Sequence, residues 1–266
     1  MDKKGLKALQ SPMVSLAIKA GARILDFYQY GFDVEHKSDQ TPLTQADIAA
    51  HEIIDEGLRQ LTPDIPVISE EGASIPFATR QQWPLYWLVD PLDGTREFIR
   101  RNDEFTVNIA LIENGKPIMG LVHAPELEQC YFAARGIGAY KKANDKKPKR
   151  IYVKSNCRKP VVIAGSHSHP SAEFNTFIAN IGDYEMLSMG SALKSCLVAE
   201  GVADIYARLG PTSEWDTAAA QCIVEEAGGM LTDTNMQPLC YNTKDSLLNP
   251  HFFVFGDCGV DWSKYL

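Results

Sequence analysis

Trp87-Leu88-Val89-Asp90-Pro91-Leu92-Asp93-Gly94-Thr95 is the stretch that decides how this chain is read. Residues 85–89 are apolar and suit a strand, which ends abruptly at Asp90-Pro91 because proline cannot donate to a sheet ladder. Two carboxylates then arrive on a turn, followed by Gly94, Thr95 and a helix-like segment. Carboxylates held close together are costly unless a cation neutralises them or one keeps its proton. Hard divalent cations such as Mg²⁺ take such oxygen ligands. Gly94 lets the backbone approach a ligand closely, and N–H groups at a helix start suit a phosphate.

Two more acidic elements lie outward from this one. Ile68-Ser69-Glu70-Glu71-Gly72 closes a second apolar strand, residues 66–69. Ser213-Glu214-Trp215-Asp216-Thr217-Ala218-Ala219 opens a helix whose remainder is small and apolar. Glu214 and Asp216 leave a helix in different directions, so they do not both serve one site, and Asp216 is the one placed to face a metal. Singly, each element has an ordinary explanation: a turn, a solvated strand end, a carboxylate at a helix N-terminus. Their joint occurrence carries the metal-site reading.

The rest of the chain supplies the frame. Apolar spacing predicts helices over 14–28 and 44–58, the second with Thr44 as N-cap and Asp47 three residues on. Alternation predicts strands over 106–112 and 117–123 around the turn Glu113-Asn114-Gly115-Lys116, continued by 129–134 and 139–142 in an antiparallel meander. Beyond residue 160 the pattern alternates: strands at 161–164, 186–188, 203–207 and 252–255, helices at 172–181, 192–200 and 215–227. An α/β (α+β) chain of layered sheets separated by helices follows. Its two halves are expected at 1–150 and 151–266, with the hinge inside 141–159.

Composition bounds the function. The chain has 266 residues, 45% of them hydrophobic, enough for a substantial core, and 23% charged. No run of about 18 apolar residues exists, so no membrane-spanning helix is expected. The N-terminus reads as an amphipathic helix rather than a secretory signal. Six cysteines are scattered without a CxxC pair, which suits neither zinc nor a disulfide framework and points to packing roles in a reducing cytoplasm. Peripheral contact with the inner face of the cell membrane is left open. A formal net charge of −8 disfavours nucleic-acid polymers as partners. The basic run 141–150, interrupted by Asn144, Asp145 and Pro148, reads as a solvated turn between strands.

The three acidic elements, taken in order, resemble the inositol monophosphatase superfamily. Its signatures stand here as Ser69-Glu70-Glu71, Asp90-Pro91-Leu92-Asp93-Gly94-Thr95 and Trp215-Asp216-Thr217-Ala218-Ala219 with Glu226-Ala227-Gly228-Gly229. The resemblance implies a layered α/β/α/β/α sandwich and a Mg²⁺-dependent phosphatase. It further implies that Glu70, Asp90, Asp93, Asp216 and the Leu92 carbonyl hold two or three Mg²⁺ ions. Gly94 and Thr95 would bind the reacting phosphate, Glu70 and the Thr95 hydroxyl would help activate water, and Asp47 would orient Thr95 or take a third ion, unless it only caps its helix. Haloacid-dehalogenase phosphatases, with their D-x-D-G-T motif, are excluded by the two-residue Pro91-Leu92 spacing and by the Trp215-Asp216 element.

Substrate choice must come from outside the acidic set. His167-Ser168-His169, Gly190-Ser191-Ala192-Leu193-Lys194 and Arg208 resemble segments that surround the nucleotide in the 3′(2′),5′-bisphosphate nucleotidase branch. His167 stands where Arg is common and Ala192 where Ser is common. His169, Gly190, Ser191, Lys194 and Arg208 are the candidate substrate residues, because a helix start with Lys194 and Arg208 would make a second anion site that a sugar monophosphate does not require. The expected substrate is adenosine 3′,5′-bisphosphate or its sulfated precursor, with no stable protein partner and with inhibition by lithium and calcium. The rivals are an inositol or fructose-bisphosphate phosphatase and a noncatalytic nucleotide sensor.

Overall fold

The computed structural model describes residues 1–36, 42–166 and 171–266. The amphipathic N-terminal stretch and the helix expected over 14–28 form one continuous helix, α1 (Lys3–Tyr30). Asp2 caps it by accepting from Gly5 N–H, and Pro12 lies within it. After β1 (Val34–His36) and β2 (Pro42–Thr44), helix α2 (Gln45–Leu61) starts at the expected Thr44 cap. The chain continues through β3 (Val67–Ser69), α3 (Phe77–Arg80), β4 (Leu85–Asp93), α4 (Thr95–Arg100), β5 (Thr106–Glu113), β6 (Lys116–Ala124), β7 (Gln129–Ala134), β8 (Gly138–Ala143) and β9 (Lys149–Arg150). Next come β10 (Val161–Gly165), α5 (Ala172–Ile181), β11 (Tyr184–Ser188), α6 (Leu193–Ala199), β12 (Ile205–Arg208), α7 (Glu214–Glu226), β13 (Met230–Asp233) and β14 (Phe252–Phe255). A 3₁₀ turn, Trp262–Tyr265, ends the chain.

Strands β3 to β9 form a seven-stranded sheet in sequence order, parallel only between β3 and β4. A five-stranded sheet has the order β11-β10-β12-β14-β13. Three buried clusters define the layers. Helices α1 and α2 cover one face of the large sheet, α6 and α7 lie between the sheets, and α5 covers the outer face of the small one. Strand pleating sorts the side chains: Trp87 and Val89 enter the outer cluster, Tyr86 and Leu88 the central one. The α/β/α/β/α sandwich is the observed architecture.

One difference from the sequence expectation matters for the site. Strand β4 does not stop at Asp90 but runs on to Asp93. Pairing with β5 skips from Asp90↔Asn108 to Asp93↔Thr106, and Pro91 falls in that irregularity. An unpaired bulge position tolerates a residue with no N–H, so the proline fits inside the strand instead of ending it.

A second feature brings the two halves of the chain together. Helix α7 lies so close to β6 that a Cβ on Gly120 would sit 2.2 Å from the Ala219 carbonyl oxygen. The small residues Ala218, Ala219 and Ala220 are fully buried at this approach. The N-terminus of α7, with Asp216, is thereby carried over the end of β4.

Candidate metal centre and the cleft beside it

Carboxylate oxygens of Glu70, Asp90 and Asp216 all lie within 4.8 Å of one another. Glu70 follows β3, Asp90 sits at the β4 irregularity, and Asp216 is the third residue of α7. Burial pushes the Asp90 carboxyl well above the ordinary carboxylate range, and Glu70, Asp93, Asp216 and Asp47 push it further. Asp216 is raised too, first by burial and then by Asp93. An all-oxygen set in which burial and neighbouring carboxylates raise the proton affinity of Asp90 and Asp216 is the environment a hard divalent cation relieves. The donor set therefore fits Mg²⁺.

The protein fixes the orientation of each aspartate with a backbone N–H. Asp90 Oδ1 accepts from Leu92 at 3.0 Å, Asp216 Oδ2 from Ser213 at 2.8 Å and Asp93 Oδ2 from Ala192 at 2.7 Å. Asp47 Oδ2 accepts from the Thr44 N–H at 2.7 Å and from its hydroxyl at 2.6 Å. Asp47 is thus the reciprocal member of the α2 capping box. Its other oxygen, Oδ1, lies 3.1 Å from Thr95 Oγ1, which is also 3.3 Å from the Leu92 carbonyl oxygen. The cap therefore uses Oδ2, and the contact with Thr95 uses Oδ1. Gly94, at φ 89°, turns the chain from β4 into α4 in the left-handed region that glycine occupies without strain.

Glu214 does not join the cluster. Its carboxylate accepts from Asn242 N–H at 2.8 Å, and burial pushes it up to about 7.

A cleft of about 240 Å³ extends from Asp93 and Asp216 to Lys194, Tyr206 and Arg208. Lys194 is no exposed helix lysine: it is 6% exposed, and burial lowers it to about 8. Its ammonium donates to the carbonyls of Ser191 at 2.7 Å and Met189 at 3.4 Å and lies over the Tyr206 ring. Arg208 Nη2 donates to the Pro211 carbonyl at 3.0 Å, while its buried Nε has no partner among the described residues. Ser191 lines the same cleft and Gly190 precedes it, but both are engaged with the protein. Gly190 N–H donates to Glu104 Oε2 at 2.6 Å, and the Ser191 hydroxyl lies 2.5 Å from Asp93 Oδ2. His169 falls outside the described residues, as does His167.

Sequence reading missed Glu104, which accepts from Gly190 N–H, Thr106, which bonds to Ser191, and Asn108, which approaches Asp93. Thr106 and Asn108 are essentially inaccessible, at 0% and 1% exposure. Two buried polar residues in an otherwise apolar strand were the available signal.

Known proteins resemble this chain over most of its length. The model of the inositol monophosphatase family matches residues 6–253. The chain is 49% identical over 241 residues to the 3′(2′),5′-bisphosphate nucleotidase CysQ of Escherichia coli O157:H7, covering 90% of this chain and 96% of that protein. Identity to the CysQ of Salmonella typhimurium is 50% over the same length, with the same coverage. The crystal structure of CysQ from Bacteroides thetaiotaomicron superposes with a TM-score of 0.81 at 41% identity, over 92% of this chain and 96% of that one. The chain belongs to the inositol monophosphatase family.

Proposed function

We propose that the protein is a Mg²⁺-dependent 3′(2′),5′-bisphosphate nucleotidase that converts adenosine 3′,5′-bisphosphate to AMP and phosphate. One observation carries this reading: a single cleft runs from Asp93 and from Asp216, a member of the carboxylate cluster, to a buried lysine and an arginine. A substrate with two phosphates matches both ends, one where a cation would offset the carboxylates and one at Lys194 and Arg208. The relatives from Escherichia coli O157:H7 and Salmonella typhimurium are named for 3′(2′),5′-bisphosphate nucleotidase activity.

Glu70, Asp90, Asp93, Asp216 and the Leu92 carbonyl would hold two or three Mg²⁺ ions, and Gly94 and Thr95 would seat the reacting phosphate. Bound divalent cations supply charge neutralisation and lower the pKa of water. The chain's own residues then handle the proton and the orientation. Thr95 Oγ1, with its hydrogen directed to Asp47 Oδ1, turns a lone pair toward the incoming water. Glu70 accepts that water's proton as the oxygen attacks phosphorus and the bond to the ribose oxygen breaks, and a solvent water protonates the departing oxygen to give the ribose hydroxyl. Residues 1–150 would supply Glu70, Asp90 and Asp93, and residues 151–266 would supply Asp216 and the nucleotide end.

Side-by-side phosphate release from adenosine 3′,5′-bisphosphate, inositol 1-phosphate and fructose 1,6-bisphosphate tests the substrate. A nucleotide preference of at least ~100-fold in kcat/KM is expected, about 2.7 kcal/mol of transition-state discrimination. Comparable turnover of either sugar phosphate would remove the role given to Lys194 and Arg208. Nucleotide binding without any phosphate release would identify a sensor instead.

Asp47→Asn is a second expected result. The amide keeps the shape but loses the charge that orients Thr95, so kcat should fall ~100-fold, the scale of general acid–base assistance. The weakened cap should lower stability by about 1 kcal/mol. A stability loss with kcat unchanged would leave Asp47 as a helix cap alone.

A further inference from the structure

We infer that Thr106 and Ser191 are positioning residues that set the orientation of Asp93 and, through it, the affinity of the site for a divalent cation. The inference rests on reading the acidic cluster as a cation site. It departs from the sequence-based assignment of Ser191, whose hydroxyl is directed at the protein rather than at a substrate.

A carboxylate only accepts, so Ser191 Oγ, 2.5 Å from Asp93 Oδ2, must be the donor. Ala192 N–H donates to the same oxygen at 2.7 Å, and Asn108 Nδ2 approaches it at 3.5 Å. All three converge on Oδ2 and fix the carboxylate plane, turning Oδ1 away from them. Behind Ser191 stands the buried Thr106 hydroxyl, 2.5 Å from Ser191 Oγ and 2.9 Å from Asn108 Oδ1.

Ser191 is also held at φ 52°, in the left-handed region. A non-glycine residue stays there only when its surroundings over-determine it. Here they do. Lys194 holds the Ser191 and Met189 carbonyls, and Glu104 holds the Gly190 N–H. The segment 189–192 is built to present one hydroxyl and one N–H to Asp93. Outer hydrogen bonds of this kind orient a metal ligand, and their loss typically costs 10–100-fold in metal affinity.

The test is calorimetric titration of Mg²⁺ and Mn²⁺ into the substrate-free protein, with melting temperatures taken in the absence of metal. Thr106→Val keeps the shape but loses the hydroxyl, and Ser191→Gly removes the donor while relieving the positive φ. Each is expected to weaken cation binding about 10-fold or more. Thr106→Ser, which restores the hydroxyl, should bind within about twofold of the parent, and Ser191→Gly should melt no lower than the parent. Parental cation affinity in both Thr106→Val and Ser191→Gly, alongside weakened binding by Asp93→Asn, would overturn the inference while leaving the metal site standing. Parental affinity in Asp93→Asn itself would overturn the metal-site reading and this inference with it.

Discussion

Asp90→Asn is expected to lower kcat/KM at least ~10³-fold, about 4 kcal/mol of transition-state stabilisation, while raising the melting temperature of the metal-free protein. The two effects have one cause. Asp90 is 2% exposed and is crowded first by low-dielectric surroundings and then by four other carboxylates. Without a cation that crowding opposes folding, and a neutral amide of the same shape removes it. With a cation the same charge is the ligand, and the amide cannot replace it. A protein whose activity and metal-free stability both fell in this variant would not have the electrostatics described here.

The pH dependence has a definite sign. Asp90 and Asp216 hold their protons more tightly in the folded chain than in the unfolded one, where an aspartate titrates near about 3.9. Their contribution to metal-free stability is therefore fully present below that value. It falls as pH rises toward the raised folded values. The stabilising effect of Asp90→Asn should accordingly be small near pH 4 and largest at neutral and alkaline pH, and added Mg²⁺ should abolish it. Thermal melts of both proteins across that range, with and without Mg²⁺, measure this directly.

How much of the site was legible in the sequence depends on how far apart its parts lie along the chain. Asp90, Asp93, Gly94 and Thr95 form one contiguous stretch of sequence, and Glu70 and Asp216 sit in short motifs with their own apolar flanks. Local pattern was enough for these. The partners of Asp93 were not legible, because Ser191 meets Thr106 across 85 residues and only the packing of segment 189–192 against β5 decides it. Lys194 shows the same limit: the sequence names it as a candidate at a helix start, but its burial and its hold on the Ser191 and Met189 carbonyls come only from the packing. The Glu226-Ala227-Gly228-Gly229 signature also proves to be structural. Glu226 accepts from the N–H groups of Gly136 and Gly138, both at 2.8 Å, and so clamps the β7–β8 turn to the end of α7.

Gly120→Val is the substitution expected to cost most in stability, about 3 kcal/mol or more, although it touches no acidic residue. Its Cβ would lie 2.2 Å from the Ala219 carbonyl oxygen and 2.9 Å from the Ala219 carbonyl carbon, both backbone atoms of α7. No side chain can rotate to make room, so the helix or the strand must move. For a chain of this size the loss should appear as a fall in melting temperature of roughly 6–12 °C. The consequence for activity follows from what α7 carries. Asp216 rides on a helix that lies directly on β6, and lifting that helix moves one carboxylate away from the other two. Enough protein should stay folded at 20 °C to be assayed, and there it should need a higher Mg²⁺ concentration for half-maximal phosphate release. Ala219→Gly, placed in Gly120→Val, would not restore the site, because the clash is with backbone rather than with the alanine methyl. A Gly120→Val protein with parental melting temperature and parental Mg²⁺ requirement would mean that α7 does not sit where its packing against β6 places it.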